Sequence, residues 1–208
     1  MPKKSKSRFR SDLPRGVQPV ALSEVLSAAR FFACDDILAA CVRDNADSCE
    51  QGDVFIARIT PTGDGHEHVA SAVARGVAGI VAERMVPTDG VPLCVVPHAG
   101  RAFAQLSQAL AGNPSAGMRV IAVTGTSGKT TTAWLTAAVL AEAGLRVGVL
   151  SDLGCLGPDD TIPSAGDCSQ PDGLAKWLAR LQAAGCSHAV VEVSSRMLAA
   201  HALAGVRC

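Results

Sequence analysis

Short apolar runs and longer stretches of helical spacing take turns along this chain. Asp53–Ala57 reads as a strand behind the turn signal Gln51-Gly52, and Val77–Ala82 and Leu93–Val96 read as two more. Between them, His66–Arg75 predicts a helix with Val69, Ala72 and Val73 on one face and Gly76 at its end. Ala99–Leu110 predicts another through Phe103, Leu106 and Leu110, closed by Gly112-Asn113-Pro114-Ser115. An earlier helix is expected over Leu22–Ala33, and loops over Pro61–Gly65 and Pro87–Pro92. From Met118 the pattern starts again. A strand through Val120–Val123 leads to a helix over Thr131–Ala143, which Gly144 caps. Arg146–Ser151 is a strand of the kind buried on both faces, and Asp152–Pro171 reads as a long polar loop. A helix over Asp172–Ala184, N-capped by Asp172 and stopped by Gly185, precedes a third strand, His188–Val193. Strands alternating with helices predict an α/β chain in two units, residues 19–116 and 117–208.

Composition narrows the class. The 208 residues carry no formal net charge, which argues against nucleic acid or an acidic membrane surface as the main partner. No apolar run approaches a membrane span, so no membrane insertion is expected. Residues 1–18 form a basic tail, rich in Lys, Arg and Ser and without the apolar core of a signal peptide, and are expected to be disordered. Eight cysteines include no C-x-x-C pair, and several sit inside apolar runs such as Leu93-Cys94-Val95-Val96. They read as reduced thiols of a cytoplasmic protein; a zinc site lacks the close ligand spacing it needs. His66-Glu67-His68 does not pair on one helix face, so a solvated surface explains it better than a metal. The sequence leaves the oligomeric state open.

The candidate chemistry gathers at Thr124-Gly125-Thr126-Ser127-Gly128-Lys129-Thr130-Thr131, where a β-branched strand stops and a helix opens. Backbone N–H groups of such a loop converge on phosphate, and the helix dipole favours the anion. Lys129 is placed to reach the β- and γ-phosphates and the Thr130 hydroxyl to sit on Mg²⁺. The usual G-x-x-x-x-G-K-[ST] spacing requires a glycine at position 123, which is Val123. The plainer alternative is an ordinary glycine-rich turn, but the Lys-Thr pair and its flanks match the phosphate context. Glu192 ends a buried strand of the same unit, where ligands of open parallel sheets collect. It is the candidate Mg²⁺ ligand beside Thr130; a strand-end carboxylate facing solvent is the alternative.

The stretch Thr124–Thr131 fits T-G-T-[NS]-G-K-T-[ST] and so resembles the Mur ligases, ATP-dependent enzymes that add amino acids to the peptidoglycan precursor. The wider chain looks most like the type that extends UDP-MurNAc-L-Ala-D-Glu; folylpolyglutamate and cyanophycin synthetases share the loop. Asp47-Ser48-Cys49, Gly52–Ala57, Asp64-Gly65-His66 and Gly76–Glu83 match that type's D-S-R, G-D-[LV]-F-[VI]-A, D-G-H/R and strand motifs. Cys49 stands where the family usually has Arg. The resemblance implies a small α/β N-terminal domain that grips the uridine end of a UDP-MurNAc-peptide through Ser48 and the Thr62–His66 loop, including Asp64, Gly65 and His66. It implies an incomplete parallel-sheet P-loop ATPase domain after it. There, ATP and Mg²⁺ are the cofactors, and Gly125, Thr126, Ser127, Gly128, Lys129, Thr130 and Thr131 hold the nucleotide. Thr130 and Glu192 hold the metal, and Lys129 and Glu192 are the catalytic pair.

From Glu192-Val193-Ser194-Ser195 the match degrades. Ser194 is carried over as a substrate contact, and Ser169 as a partial substitute for the family's paired threonines. Arg196 stands for a family His, and Ala200 and Ala202 stand for Gln and Arg. The resemblance covers roughly the first two-fifths of a ligase, so a fragment or truncated ligase that does not turn over by itself is expected. A nucleotide-binding paralogue without catalysis, serving as a binding or regulatory module, is the alternative. A generic P-loop NTPase is disfavoured by Val123 and by the matching first domain.

Overall fold

In the computed structural model, residues 18–61, 63–157, 161–162 and 167–208 are described. The basic tail up to residue 17, Thr62 and most of residues 158–166 lie outside them.

The first half opens with β1 (Val20–Ala21) and α1 (Leu22–Val25), then β2 (Arg30–Phe32), β3 (Leu38–Ala39), β4 (Val42–Arg43) and β5 (Val54–Ile56). A small hairpin, β6 (Ile59–Thr60) and β7 (Gly63–Asp64), leads into α2 (Val69–Ala74), β8 (Gly79–Ala82), β9 (Leu93–Val95) and α3 (Ala99–Leu110). Five of these strands make one sheet in the order β2-β9-β8-β5-β4, parallel except for the edge strand β2. Side chains alternate across it as strand geometry requires. Val54, Ile56, Val81 and Cys94 meet α1 and α3, while Phe55, Ile80, Ala82 and Leu93 meet α2.

Helix α1 is shorter than the expected Leu22–Ala33. Leu26 leaves helical geometry (φ −109°, ψ 86°), and Arg30, Phe31 and Phe32 pair antiparallel with Val95, Cys94 and Leu93. Two adjacent phenylalanines favour the pleated surface of a sheet over further helical turns. The expected Pro61–Gly65 loop contains strand β7, which pairs back with β6 just before it, and the helix expected from His66 begins as a 3₁₀ turn over Gly65–His68.

The second half contains β10 (Arg119–Val123), α4 (Lys129–Glu142), β11 (Val147–Ser151), β12 (Gly154–Leu156), β13 (Thr161–Ile162), α5 (Pro171–Ala183), β14 (His188–Glu192) and α6 (Ser195–Ala199). Its sheet runs β10-β14-β11-β12-β13, with the first three strands parallel and the last two antiparallel. The expected long loop after Ser151 therefore carries two strands. A tight turn brings Gly154 back opposite Ser151, at a φ of 136° that side chains rarely adopt. Helix α4 packs on one face through Ala133 and Ala137 against Val149 and Val190. Helix α5 packs on the other through Leu174, Trp177, Leu178 and Leu181 against Val120, Leu150, Ala189 and Val191.

The start of α5 corrects another expectation. Asp172 does not cap it: Gln170 is the N-cap and Pro171 opens the helix, its missing N–H costing nothing there. Asp172 instead pairs with Lys176 one turn on, at 3.0 Å. The two halves meet along α3 and α5. Helix α3 is buried on both flanks, by Phe103 and Leu106 towards its own sheet and by Ala104 and Gln108 away from that stripe.

Candidate functional site: a phosphate loop beside a buried glutamate

Parallel pairing of β10 with β14 sets Val123 opposite Glu192, so the loop after one strand and the carboxylate ending the other are neighbours. The loop is tied down twice on that side. The Thr124 hydroxyl donates to Val193 O at 3.1 Å, and Val193 N donates to Val123 O at 2.8 Å. Gly125 (φ 153°) and Gly128 (φ 77°) take backbone angles that a side chain would resist. Gly128 is the N-cap of α4, and no side chain caps that helix. Its first N–H groups therefore keep no partner within the helix and point out of its positive end. An added Cβ on Gly128 would meet nothing within 4 Å, so the space over the loop is open. Among the described residues, the half-buried Lys129 forms no ion pair.

Glu192 is 3% exposed, and both its oxygens are held. The Thr130 hydroxyl donates to Oε1 at 3.0 Å, and the Asp152 N–H donates to Oε2 at 3.1 Å. The carboxylate therefore joins the first turn of α4 to the turn after β11. Sequence reasoning expected Thr130 and Glu192 side by side, and they are hydrogen-bonded here, with Lys129 preceding Thr130 at the start of α4. It missed Trp134 and Ser151. Trp134 Nε1–H donates to Ser151 Oγ at 3.0 Å, and Ser151 Oγ also accepts from Leu153 N at 3.2 Å. The available signal was a small hydroxyl residue closing an apolar strand beside the phosphate loop.

The residues expected to grip substrate in the first half are spent on internal bonds. His66 Nδ1 lies 2.6 Å from Asp64 Oδ1, and its Nε2 accepts from Glu83 N at 3.1 Å. That acceptor role fixes the tautomer: Nδ1 carries the proton and donates it to Asp64. The ring is 2% exposed, so neither nitrogen is offered to a ligand. Asp64 also accepts from His66 N at 2.9 Å and from Arg84 at 2.8 Å. The His66 N–H, the Arg84 guanidinium and the His66 ring hold its carboxyl well below the usual carboxylate range. Gly65 is required by packing, since an added Cβ would fall 2.7 Å from Arg58 O. Ser48 is exposed on a 3₁₀ turn and donates to Asn45 O at 2.9 Å. In the second half Ser194 Oγ caps α6 by accepting from Met197 N at 3.3 Å, and Ser169 ends a short 3₁₀ turn before α5.

Five of the eight cysteines are buried and all eight are free thiols. Burial pushes Cys94 up to about 12 and Cys49 up to about 11, as inert core thiols require. No group of three or more His, Cys, Asp or Glu suited to a metal occurs among the described residues, and none of their helices is long and apolar enough to cross a membrane. A cavity of about 260 Å³ lies apart from the loop, between Arg101 of α3 and the segment Met197–Ala204.

A glycine loop opens an uncapped helix at the end of a parallel strand, with a buried carboxylate on the neighbouring strand, and this is the arrangement of the P-loop class of α/β folds. Residues 123–208 match the Mur ligase middle domain. The UDP-N-acetylmuramyl-tripeptide synthetase of Deinococcus radiodurans is 36% identical over 170 residues, covering 79% of this chain and 35% of that protein. The UDP-N-acetylmuramoyl-L-alanyl-D-glutamate--2,6-diaminopimelate ligase of Bacillus licheniformis is 35% identical over 147 residues, or 71% of this chain and 30% of that one. A solved structure of a ligase of the latter name shares the fold at a TM-score of 0.70, with 20% identity over 90% of this chain and 38% of its own. The chain belongs to the Mur ligase family. It spans about a third of the length of the curated relatives it matches.

Proposed function

We propose that the chain holds ATP·Mg²⁺ for a cytoplasmic ligase of peptidoglycan precursor synthesis, which adds an amino acid to UDP-MurNAc-L-Ala-D-Glu. The observation that carries this reading is the uncapped N-terminus of α4 with Thr130 bonded to a buried Glu192 beside it. Gly125–Thr131 then cradles the phosphates by backbone N–H groups, and Lys129 faces the β- and γ-phosphates. A hydroxyl and a carboxylate are oxygen donors of the kind a hard divalent cation takes, so Mg²⁺ suits Thr130 and Glu192. The Thr130 hydroxyl can give its proton to Glu192 and keep a lone pair for the metal. When bound, Mg²⁺ neutralises charge that builds on the phosphates during transfer. In this chemistry a substrate carboxylate oxygen attacks the γ-phosphorus and ADP leaves; an amine then attacks the acyl carbon and phosphate leaves.

The test is calorimetry with MgADP on the full chain and on Lys129→Ala. Binding by the unmodified chain and its loss in the variant is the expected result. Unchanged affinity in the variant would remove the reading.

A second reading, a nucleotide-binding paralogue without ligase activity, draws on particular residues. His66 and Ser194 are turned to internal bonds, and Arg196, Ala200 and Ala202 replace polar family positions. ADP release dependent on UDP-MurNAc-L-Ala-D-Glu and an amino acid separates the two readings.

A further inference from the structure

Two residues outside the glycine loop bear on the Glu192 carboxylate. Ser151 closes β11, is 2% exposed, and carries a hydroxyl with two donors on it: Trp134 Nε1–H at 3.0 Å and Leu153 N–H at 3.2 Å. Asp152 lies between Ser151 and Leu153, and its N–H is the donor to Glu192 Oε2 at 3.1 Å. Trp134 lies one helical turn beyond Thr130 on α4, and Thr130 is the donor to Glu192 Oε1 at 3.0 Å. Helix α4 and the β11 turn are thus joined by two parallel links, Thr130 through Glu192 and Trp134 through Ser151. The second link fixes both ends of the first.

We infer that Ser151, gripped by Trp134, is a positioning residue that sets the Glu192 carboxylate for the divalent cation of a bound nucleotide. This rests on the reading of the loop as a nucleotide site. A carboxylate with one oxygen on a hydroxyl and the other on a fixed amide has little rotational freedom, so its orientation is settled before any cation arrives. Without the Ser151 hydroxyl, the turn loses its anchor and the Trp134 N–H loses its acceptor. The Asp152 amide is then less firmly placed, and Glu192 keeps only the Thr130 bond as a fixed anchor. The phosphate cradle itself, made by Gly125–Thr131, keeps its own anchors at Thr124 and Val193. The effect therefore falls on the cation-dependent part of nucleotide binding.

The experiment titrates the full chain with ADP, with and without Mg²⁺, and compares Ser151→Ala, Ser151→Thr and Trp134→Phe. Trp134→Phe keeps an aromatic ring and removes the N–H donor together with part of the indole's bulk, and Ser151→Ala removes the acceptor alone. One lost hydrogen bond of this kind corresponds to roughly a three- to tenfold fall in affinity. That fall is expected in the presence of Mg²⁺ for Ser151→Ala and Trp134→Phe, with metal-free affinity within about twofold of the unmodified chain. Ser151→Thr, which keeps the hydroxyl, restores the Mg²⁺ response. Faster amide exchange at Asp152 in Ser151→Ala, measured without nucleotide, is the accompanying structural signature. An equal loss with and without Mg²⁺, or none at all in either variant, overturns the inference while leaving the nucleotide site standing. Absence of ADP binding in the unmodified chain overturns the functional reading, and the inference goes with it.

Discussion

Asp64 shows how a single carboxylate can be committed to the fold. It accepts from the His66 amide and ring and from Arg84, and its folded pKa is depressed below the ordinary value of 3.8. A depressed acid contributes stability above its unfolded pKa and loses it as pH falls through the folded value. The Arg84 contact sits at the surface and is screened, so most of the effect belongs to the His66 bonds. Asp64→Asn should therefore melt below the unmodified chain at pH 7. The gap should narrow once pH drops under 3.8, where the native carboxyl begins to pay for its ionisation. Thermal melts at pH 7 and near pH 3 decide it; a gap that stays constant or widens in acid would mean the charge is not what matters. The same bonds leave the His66 ring buried and fully partnered, so the residues of this motif serve the fold.

At the scale of elements, Gly148 in the middle of β11 illustrates close packing between sheet and helix. A Cβ there would land 2.6 Å from Leu181 Cδ2 of α5, and nearer still to Cδ1. Gly148→Ala should cost about 1–3 kcal/mol in urea unfolding, the usual range for overpacking a core. Leu181→Ala in the same chain should recover part of that cost, and strict additivity of the two changes would show that they do not touch. What the sequence revealed at this scale follows from whether a signal is local. The strand Arg119–Val123, its glycine loop and α4 are contiguous, and the change of hydrophobic period across the loop marks them plainly. Strand β2 is invisible by the same test, because its partner β9 lies far along the chain and a helical spacing fits Leu22–Ala33 equally well. Strands β12 and β13 hide in a Gly-, Pro- and Asp-rich segment whose pairing is fixed by β11. The site divides likewise. Glu192 was legible because a strand-end acid near a phosphate loop has a recognised use, whereas nothing in the sequence alone couples Trp134 to Ser151.

At the scale of the whole molecule, Arg58 connects the halves. Its Nε donates to Asp44 at 2.7 Å, its guanidinium lies 5.4 Å from the centre of the Phe103 ring on α3, and its Nη2 reaches Gln170 Oε1 at 3.3 Å before α5. The side chain is only 12% exposed, so removing it leaves Asp44 without its partner at the rim of the first sheet. The expected loss in Arg58→Ala is on the order of 2 kcal/mol, below that of a fully buried pair because Asp44 remains partly solvated. The loss should not be shared evenly. Both tryptophans, Trp134 and Trp177, lie in the second half, so their fluorescence reports that half while far-ultraviolet circular dichroism reports the whole chain. With α3 packed on α5 and Arg58 bridging to Gln170, the unmodified chain should give coincident urea transitions by the two probes. In Arg58→Ala the dichroism should begin to fall at lower urea while the fluorescence midpoint stays near its original value. Separated transitions in the unmodified chain would show that the interface does not couple the halves. Coincident transitions in the variant would show that α3 and α5 hold them together without Arg58.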